Sequence, residues 1–323
     1  MNKLTRCLTS TALAAALVAL PQLAAAQSKY PVPTVTLVTH SSPGGGSDVF
    51  LREMIKHLQP AMGFNFAVEN VSGGSGAKAM AKMGSSPADG SIFYATTPTY
   101  IQTTLMSKPS IGYDALEPLV VVFLDPEVIY TRAESPFKSL KDAIDYGKKN
   151  PGKAKWGAAN PASLERIALE QMKRRTGVDA AVATHEGGGQ LMINVLNGTL
   201  DIGVGEVQEI RAQLEAGKVR ILASLTDKRL EKFPNVPTAK EQGVDLTVTK
   251  FRGLAGPKGL KKDVIAAWEA GIKKVLASPA YKKEYEKESL VAQFMGHDDA
   301  VKFTASFAKE VAESLKEFGI GKK

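Results

Sequence analysis

The sequence has 323 residues, of which 44% are hydrophobic and 23% charged, and its net charge at pH 7 is +8. That length suggests one large or two medium domains, and the composition is typical of a folded globular protein. The basic residues are spread along the chain, with only short pairs such as Lys148-Lys149 and no stripe of aromatic and basic residues. We therefore expect no nucleic-acid partner, whereas an anionic small ligand is compatible with the basic surplus.

Residues 1–26 have the pattern of a secretory signal peptide. A short basic segment precedes the apolar run Leu8–Leu20, and three alanines ending at Ala26 offer a cleavage site. The apolar run is shorter than the roughly 20 residues that a membrane-spanning helix needs. We predict export with cleavage near Ala26. The single cysteine, Cys7, would leave with the peptide, so the mature chain would offer no thiol for catalysis, metal binding or a disulfide.

Strands and helices alternate in the first part of the chain. The β-branched run Thr34–Thr39 predicts a strand, and Asp48–Leu58, with apolar residues at helical spacing, predicts a helix. Phe64–Asn70 and Ser91–Thr96 predict two further strands, with a short helix at Ala77–Met83 between them. This alternation indicates βαβ units and therefore an α/β, doubly wound, largely parallel sheet.

The segment Leu119–Thr131 predicts a strand that leaves one sheet and enters another. Its two β-rich runs are separated by Asp125-Pro126, where proline interrupts ladder pairing. The alternation then resumes, Val219–Thr226 offers a strand for the return, and the helical tail from Asp263 is expected to pack on the first lobe. Two lobes joined in this way form a cleft, a common place for ligands. The predicted division is 27–124 for the first part of lobe 1, 125–225 for lobe 2, and 226–323 for the crossover and return to lobe 1.

Two glycine-rich loops follow the first two predicted strands, at His40–Asp48 and Ser72–Gly76. Each leads into a helix, where unpaired backbone N–H groups and the positive end of the helix dipole favour an anion. The carboxyl ends of neighbouring parallel strands face the same crevice. The expected anion-binding residues are Ser41, Gly44, Gly45, Gly46, Ser47, Asp48, Ser72, Gly73, Gly74 and Ser75. The alternative is a tight turn in which Ser47 or Asp48 merely caps the helix.

Polar residues at other strand ends are candidates for contacting the rest of a ligand. They are Thr96, Thr97, Asn160, Ser163, His185 and Glu206. Helix capping alone would explain Asn160 and Ser163 equally well. An acid such as Glu206 is unexpected in a cleft for anions. It either accepts a hydrogen bond from a ligand hydroxyl or ammonium, or lies at a helix N-terminus without a ligand role, and we favour the second interpretation.

Signals for catalysis are weak. The four histidines show no metal-binding spacing, there is no G-x-S-x-G nucleophile turn, and no spacing singles out an acid–base pair. Trp156 and Trp268 are expected to be packing residues, and His57 a surface or packing residue. We therefore predict no metal, no cofactor and no enzymatic activity. The alternative is an enzyme whose catalytic residues are assembled only by the fold.

Several segments, taken together, resemble the tripartite tricarboxylate transporter receptors, the Bug family of solute-binding proteins. Pro43–Asp48 is similar to the family's P-G-G-x-x-D loop, and Val68–Gly76 to its V-E-N-x-x-G-A-G-G segment. The other matching segments, in family order, are Pro87–Gly90, Pro151–Lys153, Asn235–Thr238 with Glu241 and Gly243, and Phe251–Pro257. The matches run from the first predicted strand nearly to the C-terminus.

This resemblance implies a type II periplasmic binding-protein fold that closes on a small carboxylate ligand. It implies that both glycine loops hold one carboxylate through backbone groups and waters, that the protein is periplasmic, and that its partner is a membrane transporter with two subunits. We expect a monomer. The alternatives are an enzyme on the same fold or a sensory receptor.

The second lobe departs from the family pattern. Ala158–Ser163 stands where the family has a glycine-rich G-x-G-S stretch, and His185-Glu186-Gly187 replaces Tyr-Lys-Gly. A glutamate in place of a lysine argues against assuming a second or third carboxylate on the ligand, and the number of carboxylates stays open.

Overall fold

The computed structural model describes residues 30–317, so the predicted signal peptide and its cleavage site lie outside the described residues. The strands are β1 Thr34–Thr39, β2 Asn65–Asn70, β3 Ile92–Thr96, β4 Leu116–Asp125, β5 Glu127–Arg132, β6 Ala154–Ala158, β7 Ala180–Thr184, β8 Ile202–Glu206, β9 Val219–Ser224, β10 Lys250–Pro257 and β11 Val291–Met295. The helices are α1 Gly46–Met62, α2 Ala77–Gly84, α3 Pro98–Ser107, α4 Leu140–Lys149, α5 Leu164–Thr176, α6 Gly188–Leu196, α7 Val207–Glu215, α8 Lys262–Leu276, α9 Pro279–Lys287 and α10 His297–Glu317.

The described residues form two mixed sheets, one in each lobe. The first has the strand order β11-β4-β10-β3-β1-β2, and the second has the order β7-β6-β8-β5-β9. The predicted parallel βαβ units are present, since β1 pairs in parallel with β2 and β3, and β6 with β7 and β8. In each sheet a crossing strand is antiparallel to its neighbours, β10 in the first and β5 in the second. The α/β fold with two lobes is therefore confirmed.

The chain crosses between the lobes twice. The first crossing lies at Pro126, between β4 of the first sheet and β5 of the second, as the proline between two β runs predicts. The prediction that Val219–Thr226 crosses back is wrong. This run forms β9, which stays paired with β5, because Leu222 and Ala223 are packed in the core of the second lobe.

The return to the first lobe occurs at β10. Before it, residues 225–249 stay on the second lobe, where the Val248 N–H donates to the Leu225 carbonyl at 3.0 Å and Val244 and Leu246 join the core. The second lobe therefore extends beyond the boundary at residue 225 that the sequence suggests. β10 then pairs with β4 from Lys250 onward, so the two crossing segments run side by side.

Each lobe has its own apolar core with a tryptophan inside it. Trp268 of α8 lies in the core of the first lobe and Trp156 of β6 in that of the second, and both are buried, as predicted. The helical tail packs on the first lobe as expected. β11, an edge strand beside β4, interrupts that tail and was not predicted. Within residues 30–317, none of the helices combines the length and apolar character needed to cross a bilayer.

Replacing Trp268 by alanine is expected to lower the free energy of unfolding by about 3–5 kcal/mol, the usual cost of deleting a buried aromatic ring. The ring centroid lies 4.6 Å from that of Phe93, and Nε1 donates to the Tyr30 hydroxyl at 2.9 Å. Urea unfolding followed by circular dichroism measures the change, with Trp268→Phe as a milder control that keeps most of the packing. A loss of less than about 1 kcal/mol in the alanine variant would contradict this packing role.

Candidate ligand site

The two lobes touch through glycine loops. The loop before α1 in the first lobe meets the loop before α6 in the second. A Cβ on Gly45 would lie 3.3 Å from the Gly188 nitrogen, and one on Gly189 would lie 2.4 Å from the Pro43 carbonyl oxygen. Backbone approaches backbone here, which requires residues without side chains. The predicted anion-binding loop therefore lies at the closed boundary between the lobes.

A carboxyl group of the second lobe lies at the N-terminus of α1. The Gly46 N–H donates to Oε1 of Glu209, a residue of the first turn of α7, at 3.0 Å. The Glu209 carboxyl group lies against two glycines. A Cβ on Gly188 would lie 1.5 Å from Oε1, and a Cβ on Gly205 would lie 2.3 Å from Oε2. The N–H at the start of α1 thus bonds a carboxyl group of the protein itself, Glu209, which sequence reasoning missed.

Asp48 shapes this loop. Its carboxylate accepts hydrogen bonds from the Gly44 N–H at 2.9 Å, Arg52 Nε at 2.9 Å and Asn70 Nδ2 at 3.0 Å. Burial alone would raise the pKa of Asp48, but these bonds outweigh it and lower the pKa below its usual value. All three hydrogen-bond donors to the Asp48 carboxylate belong to the first lobe. Nearby, Ser41 is buried, and its carbonyl accepts from the Asn70 side chain at 3.0 Å.

The second glycine loop reaches across to the second lobe. Gly73 and Gly74 have positive φ, and so does Ser75 (φ 52°), an uncommon conformation for a residue with a side chain. Ser75 is buried; its hydroxyl accepts from the Ala162 N–H at 3.3 Å, and its carbonyl accepts from Thr103 at 2.6 Å. Ser72 is half-buried and Gly74 is exposed. Ser75 is thus the residue of this loop that contacts both lobes.

The remaining predicted residues lie at or soon after strand ends and have different roles. Thr96 and Thr97 are buried at the end of β3, and the Thr97 hydroxyl has no hydrogen-bond partner. Ser163 caps α5, accepting from the Arg166 N–H at 3.2 Å, which agrees with the capping interpretation.

Asn160 and His185 follow the second lobe's strands β6 and β7. Asn160 is buried, and its Oδ1 is without a hydrogen-bond partner. His185 is half-buried, with Nδ1 3.2 Å from the Ala158 carbonyl oxygen, and the neighbouring Glu186 is exposed.

Two cations of β10 meet a group of buried acids, which we call the junction cluster: Asp125, Glu127, Glu165, Glu206, Lys250 and Arg252. Lys250 Nζ lies 3.0 Å from Glu127 Oε1 and 2.6 Å from Glu165 Oε1, and it also contacts Glu206. Arg252 Nε lies 2.5 Å from Asp125 Oδ2, Nη2 lies 3.0 Å from Glu206 Oε1, and Nη1 donates to the Ser47 hydroxyl at 3.2 Å. The cluster joins both crossing segments to the cleft.

Glu206 is the only member of this cluster that was predicted from the sequence as a site residue. A signal was available, because Asp125 and Glu127 interrupt an apolar β run, and Lys250 and Arg252 flank Phe251 in a strand whose residues are all buried. The structure places Glu206 both at the start of α7 and in two ion pairs. Glu127, Glu165 and Glu206 are also close enough to share a metal ion, but the Lys250 ammonium lies among them and supplies positive charge there.

Burial and charge separate the acids into two groups. Burial opposes ionisation of Glu206, but Lys250 and Arg252 outweigh it and lower the pKa to about 2. Burial raises the pKa of Asp125 to about 6, and it raises the pKa of Glu127 and of Glu209 well above the usual value. Glu209 shares a hydrogen bond with the ionised Glu206, so Glu209 holds the proton and donates it. The group at the Gly46 N–H is then a neutral acid.

His40, at the start of the first glycine loop, is buried beside this cluster. Its Nδ1 lies 2.7 Å from the Tyr94 hydroxyl. Burial, together with the nearby Lys250, lowers the pKa of His40 to about 4. The imidazole is therefore neutral near pH 7, and the Tyr94 hydroxyl, whose pKa burial raises, donates to Nδ1.

We expect His40 to make the fold sensitive to acid. As the pH falls from about 6.5 towards 4, the unfolded chain takes up a proton that the folded state refuses, so the free energy of unfolding falls by up to about 3 kcal/mol. Urea unfolding at pH 7 and pH 4 should show a smaller loss in His40→Gln than in the wild type. The raised pKa of Asp125 has the opposite effect, because it increases the free energy of unfolding as the pH falls. The quantity to compare is therefore the loss of unfolding free energy in His40→Gln against the loss in the wild type. His57→Gln is the control, and equal losses in His40→Gln and the wild type would contradict the assignment.

The chain matches known proteins over most of its length. A protein-family model described as "Tripartite tricarboxylate transporter family receptor" matches residues 50–320. The chain is 26% identical over 310 residues to the "UPF0065 protein in gbd 5'region" of Cupriavidus necator, covering 95% of this chain and 93% of that protein.

Two solved structures share the fold. The periplasmic binding protein BugD has a TM-score of 0.85 at 22% identity, with 91% of this chain and all of that chain covered. R. palustris Rpa4515 with adipate also has a TM-score of 0.85, at 24% identity, with 90% of this chain and 99% of that chain covered. At these identities the likeness establishes the two-lobed periplasmic binding-protein fold. Because the family model spans most of the sequence, the chain belongs to the tripartite tricarboxylate transporter receptor family of periplasmic solute-binding proteins.

Proposed function

We propose that this protein captures a small carboxylate anion in the periplasm and delivers it to a tripartite tricarboxylate-type membrane transporter. The observation that supports this most directly is the bond from the Gly46 N–H to a carboxyl group at 3.0 Å, across the boundary between the lobes. A helix N-terminus that already binds a carboxyl group has the donors and the dipole that a ligand carboxylate requires. The similar Rpa4515, solved with adipate, is in keeping with this ligand class.

In this proposal the first lobe anchors the ligand and the second closes over it. Ser41, Gly44–Asp48 and Ser72–Ser75 form the anchoring loops, with Asp48 holding the first loop in shape. The residues proposed to contact the remainder of the ligand are Thr96, Thr97, Asn160, Ser163, His185 and Glu206. The ligand shifts the population from an open to a closed form, and the closed form docks on the transporter. The receptor acts as a monomer, without a cofactor or a catalytic step, after its signal peptide is removed near Ala26.

A thermal-shift screen tests the ligand class. Mono-, di- and tricarboxylates, aromatic acids and acidic amino acids are added to the purified protein, and a compound that binds only the folded state raises the melting midpoint, by roughly 2.7 kcal/mol of added stability at 100 times its Kd. We expect one chemical group of carboxylates to raise the midpoint and to be recovered unchanged. Turnover of the compound would indicate an enzyme. A folded protein that responds to no carboxylate would refute the proposal.

Replacing Gly45 by valine is expected to weaken ligand binding more than about tenfold while the fold persists. The new Cβ would lie 2.1 Å from Ser41 Oγ, which can rotate away, and 3.3 Å from the Gly188 backbone nitrogen of the other lobe, which cannot. Circular dichroism checks the fold, and titration with the best compound of the screen measures affinity. Ala292→Val adds the same side chain at an exposed position of β11 and should bind normally. Unchanged affinity in Gly45→Val would remove this loop from the site.

A further inference from the structure

We propose that closing of the lobes buries Glu288 of the first lobe beside Arg211 of the second. This contact sets the ligand affinity from outside the ligand site, and it couples closing to the uptake of a proton. The proposal rests on the function proposed above, since such a contact affects binding only in a receptor that closes on its ligand. Neither residue belongs to the proposed ligand-binding set, so both act by positioning the lobes.

Helix α7 is fixed to the second lobe by its apolar side chains. Val207 and Ile210 are buried in the same cluster as Val128 and Tyr130 of β5, a strand of the second sheet. The helix follows β8 directly, and β8 pairs with β5 in that sheet. When the lobes move relative to one another, α7 therefore moves with the second lobe.

Polar side chains at the start of α7 reach three elements of the first lobe. Gln208 Nε2 donates to Asp125 Oδ2, at the end of β4, at 2.9 Å. Glu209 bonds the start of α1, and Arg211 Nε lies 3.0 Å from Oε1 of Glu288, the residue that follows α9. In the proposed function the glycine loops part to admit a ligand. Because α7 moves as one rigid element, Arg211 then separates from Glu288.

Glu288 is anchored in the first lobe and buried there. Tyr281 and Tyr285 of α9 and the nearby Leu290 belong to the core of that lobe. The Glu288 side chain is 7% exposed and that of Arg211 is 30% exposed. The second carboxyl oxygen of Glu288, Oε2, is buried without a hydrogen-bond partner. A buried carboxylate is costly unless it is paired, so the closed form depends on Arg211, whereas water replaces Arg211 in the open form.

The contact lies outside the ligand site. Among the described residues, the small cavity next to Glu288 is lined by side chains of α1, α7 and α9 and by the residue before β11. The lining residues are Phe50, Glu53, Gln208, Tyr281, Glu284, Tyr285 and Leu290. None of them belongs to the set proposed to bind the ligand, so a change at Arg211 or Glu288 leaves the proposed ligand contacts in place.

Acids outnumber cations around Glu288 in the described part of the chain. The titratable and charged groups that face it are Glu53 of α1, Asp125 of β4, Arg211 and Glu215 of α7, and Tyr281, Glu284 and Tyr285 of α9. Burial raises the pKa of Glu288, Arg211 opposes this rise, and the neighbouring acids add to it, so that the pKa is about 7. Burial also raises the pKa of both tyrosines, which are therefore neutral near pH 7.

Closing therefore takes up a proton near pH 7. In the open form Glu288 faces water and has its ordinary pKa of 4.5, whereas in the closed form its pKa is about 7. A group whose pKa is higher in the closed form favours closing most at low pH, and this contribution is lost as the pH rises through 7. Between pH 8 and pH 6 the ratio of closed to open molecules is expected to rise by up to about tenfold.

Fluorescence energy transfer between the lobes measures this ratio in single molecules of the mature protein without a ligand. The dyes are attached through Lys302→Cys in the first lobe and Ile193→Cys in the second, since both residues are exposed. The one natural cysteine, Cys7, lies in the predicted signal peptide. We expect more of the closed form at pH 6 than at pH 8. Equal transfer efficiencies at the two pH values overturn the inference.

Glu288→Gln separates this residue from the other buried acids. Glutamine is neutral at both pH values, so the change in the ratio of closed to open molecules between pH 8 and pH 6 is expected to fall below about twofold. Glu286→Gln, on α9 with a side chain that is 43% exposed, is the matched control and should keep the full pH change. If Glu288→Gln also keeps it, another group takes up the proton and the inference is wrong.

Arg211→Met tests the pairing. It leaves Glu288 buried and unpaired in the closed form alone, so at pH 8 the ratio of closed to open molecules is expected to fall about tenfold or more, the value of a charged hydrogen bond. At pH 6, where Glu288 is neutral, the fall should be smaller. Combining Arg211→Met with Glu288→Gln removes both charges and should return the ratio at pH 8 to within about threefold of the wild type. A loss that the double variant does not reverse would contradict the pairing.

The carboxylate that gives the largest shift in the thermal screen extends the test to binding. Its Kd, measured by isothermal titration, should be up to about tenfold lower at pH 6 than at pH 8 and should follow the ratio of closed to open molecules in each variant. If the Kd does not follow that ratio, the contact does not set the affinity. If no carboxylate binds, the proposed function fails and the affinity claim fails with it, whereas the energy transfer still decides whether closing takes up a proton.

Discussion

The ion pairs of Lys250 and Arg252 hold together the segments on which the rest of the structure depends. A buried charge is tolerated only when it is paired and hydrogen-bonded. Arg252 finds its partners in Asp125, at the end of β4, and Glu206, at the end of β8, so one side chain connects the two sheets. Lys250 adds Glu127 and Glu165 of the second lobe. Through these ion pairs and the bond from Arg252 to Ser47, the two crossing segments are tied to the first glycine loop.

The glycine loops allow the two lobes to pack closely together, because glycine places no side chain between them. Gly45 of the first lobe and Gly188 of the second lie in contact at the backbone level, and each lies at the start of a helix. Because the N-termini of α1 and α6 meet there, the boundary concentrates N–H donors and positive dipole ends. Buried acids such as Glu206 and Glu209 are electrostatically compatible with such a boundary.

Much of the fold could be predicted from the sequence because its signals are local. Thr34–Thr39 is rich in β-branched residues and is a strand with those bounds, and Pro126 marks the first crossing because it cannot donate to a ladder. The glycine loops could also be recognised, because a glycine-rich run between a predicted strand and a predicted helix is visible in the sequence itself. The return at β10 was missed because Val219–Thr226 has the composition of a crossing strand, and only the packing of residues such as Val244 and Leu246 keeps the chain on the second lobe.

The chemistry of the second lobe could not be predicted in the same way. Lys250 and Glu165 are 85 residues apart in the chain, and Arg252 and Asp125 are 127 apart, so no spacing in the sequence brings them together. Glu209 lies in the first turn of α7, where an acid is ordinarily explained by the helix dipole, and only the closed lobes place it at Gly46, 163 residues away. In the proposed function, backbone groups of the first lobe hold the carboxylate. The choice of ligand would then depend on the side chains that α5 and α7 bring to the same boundary.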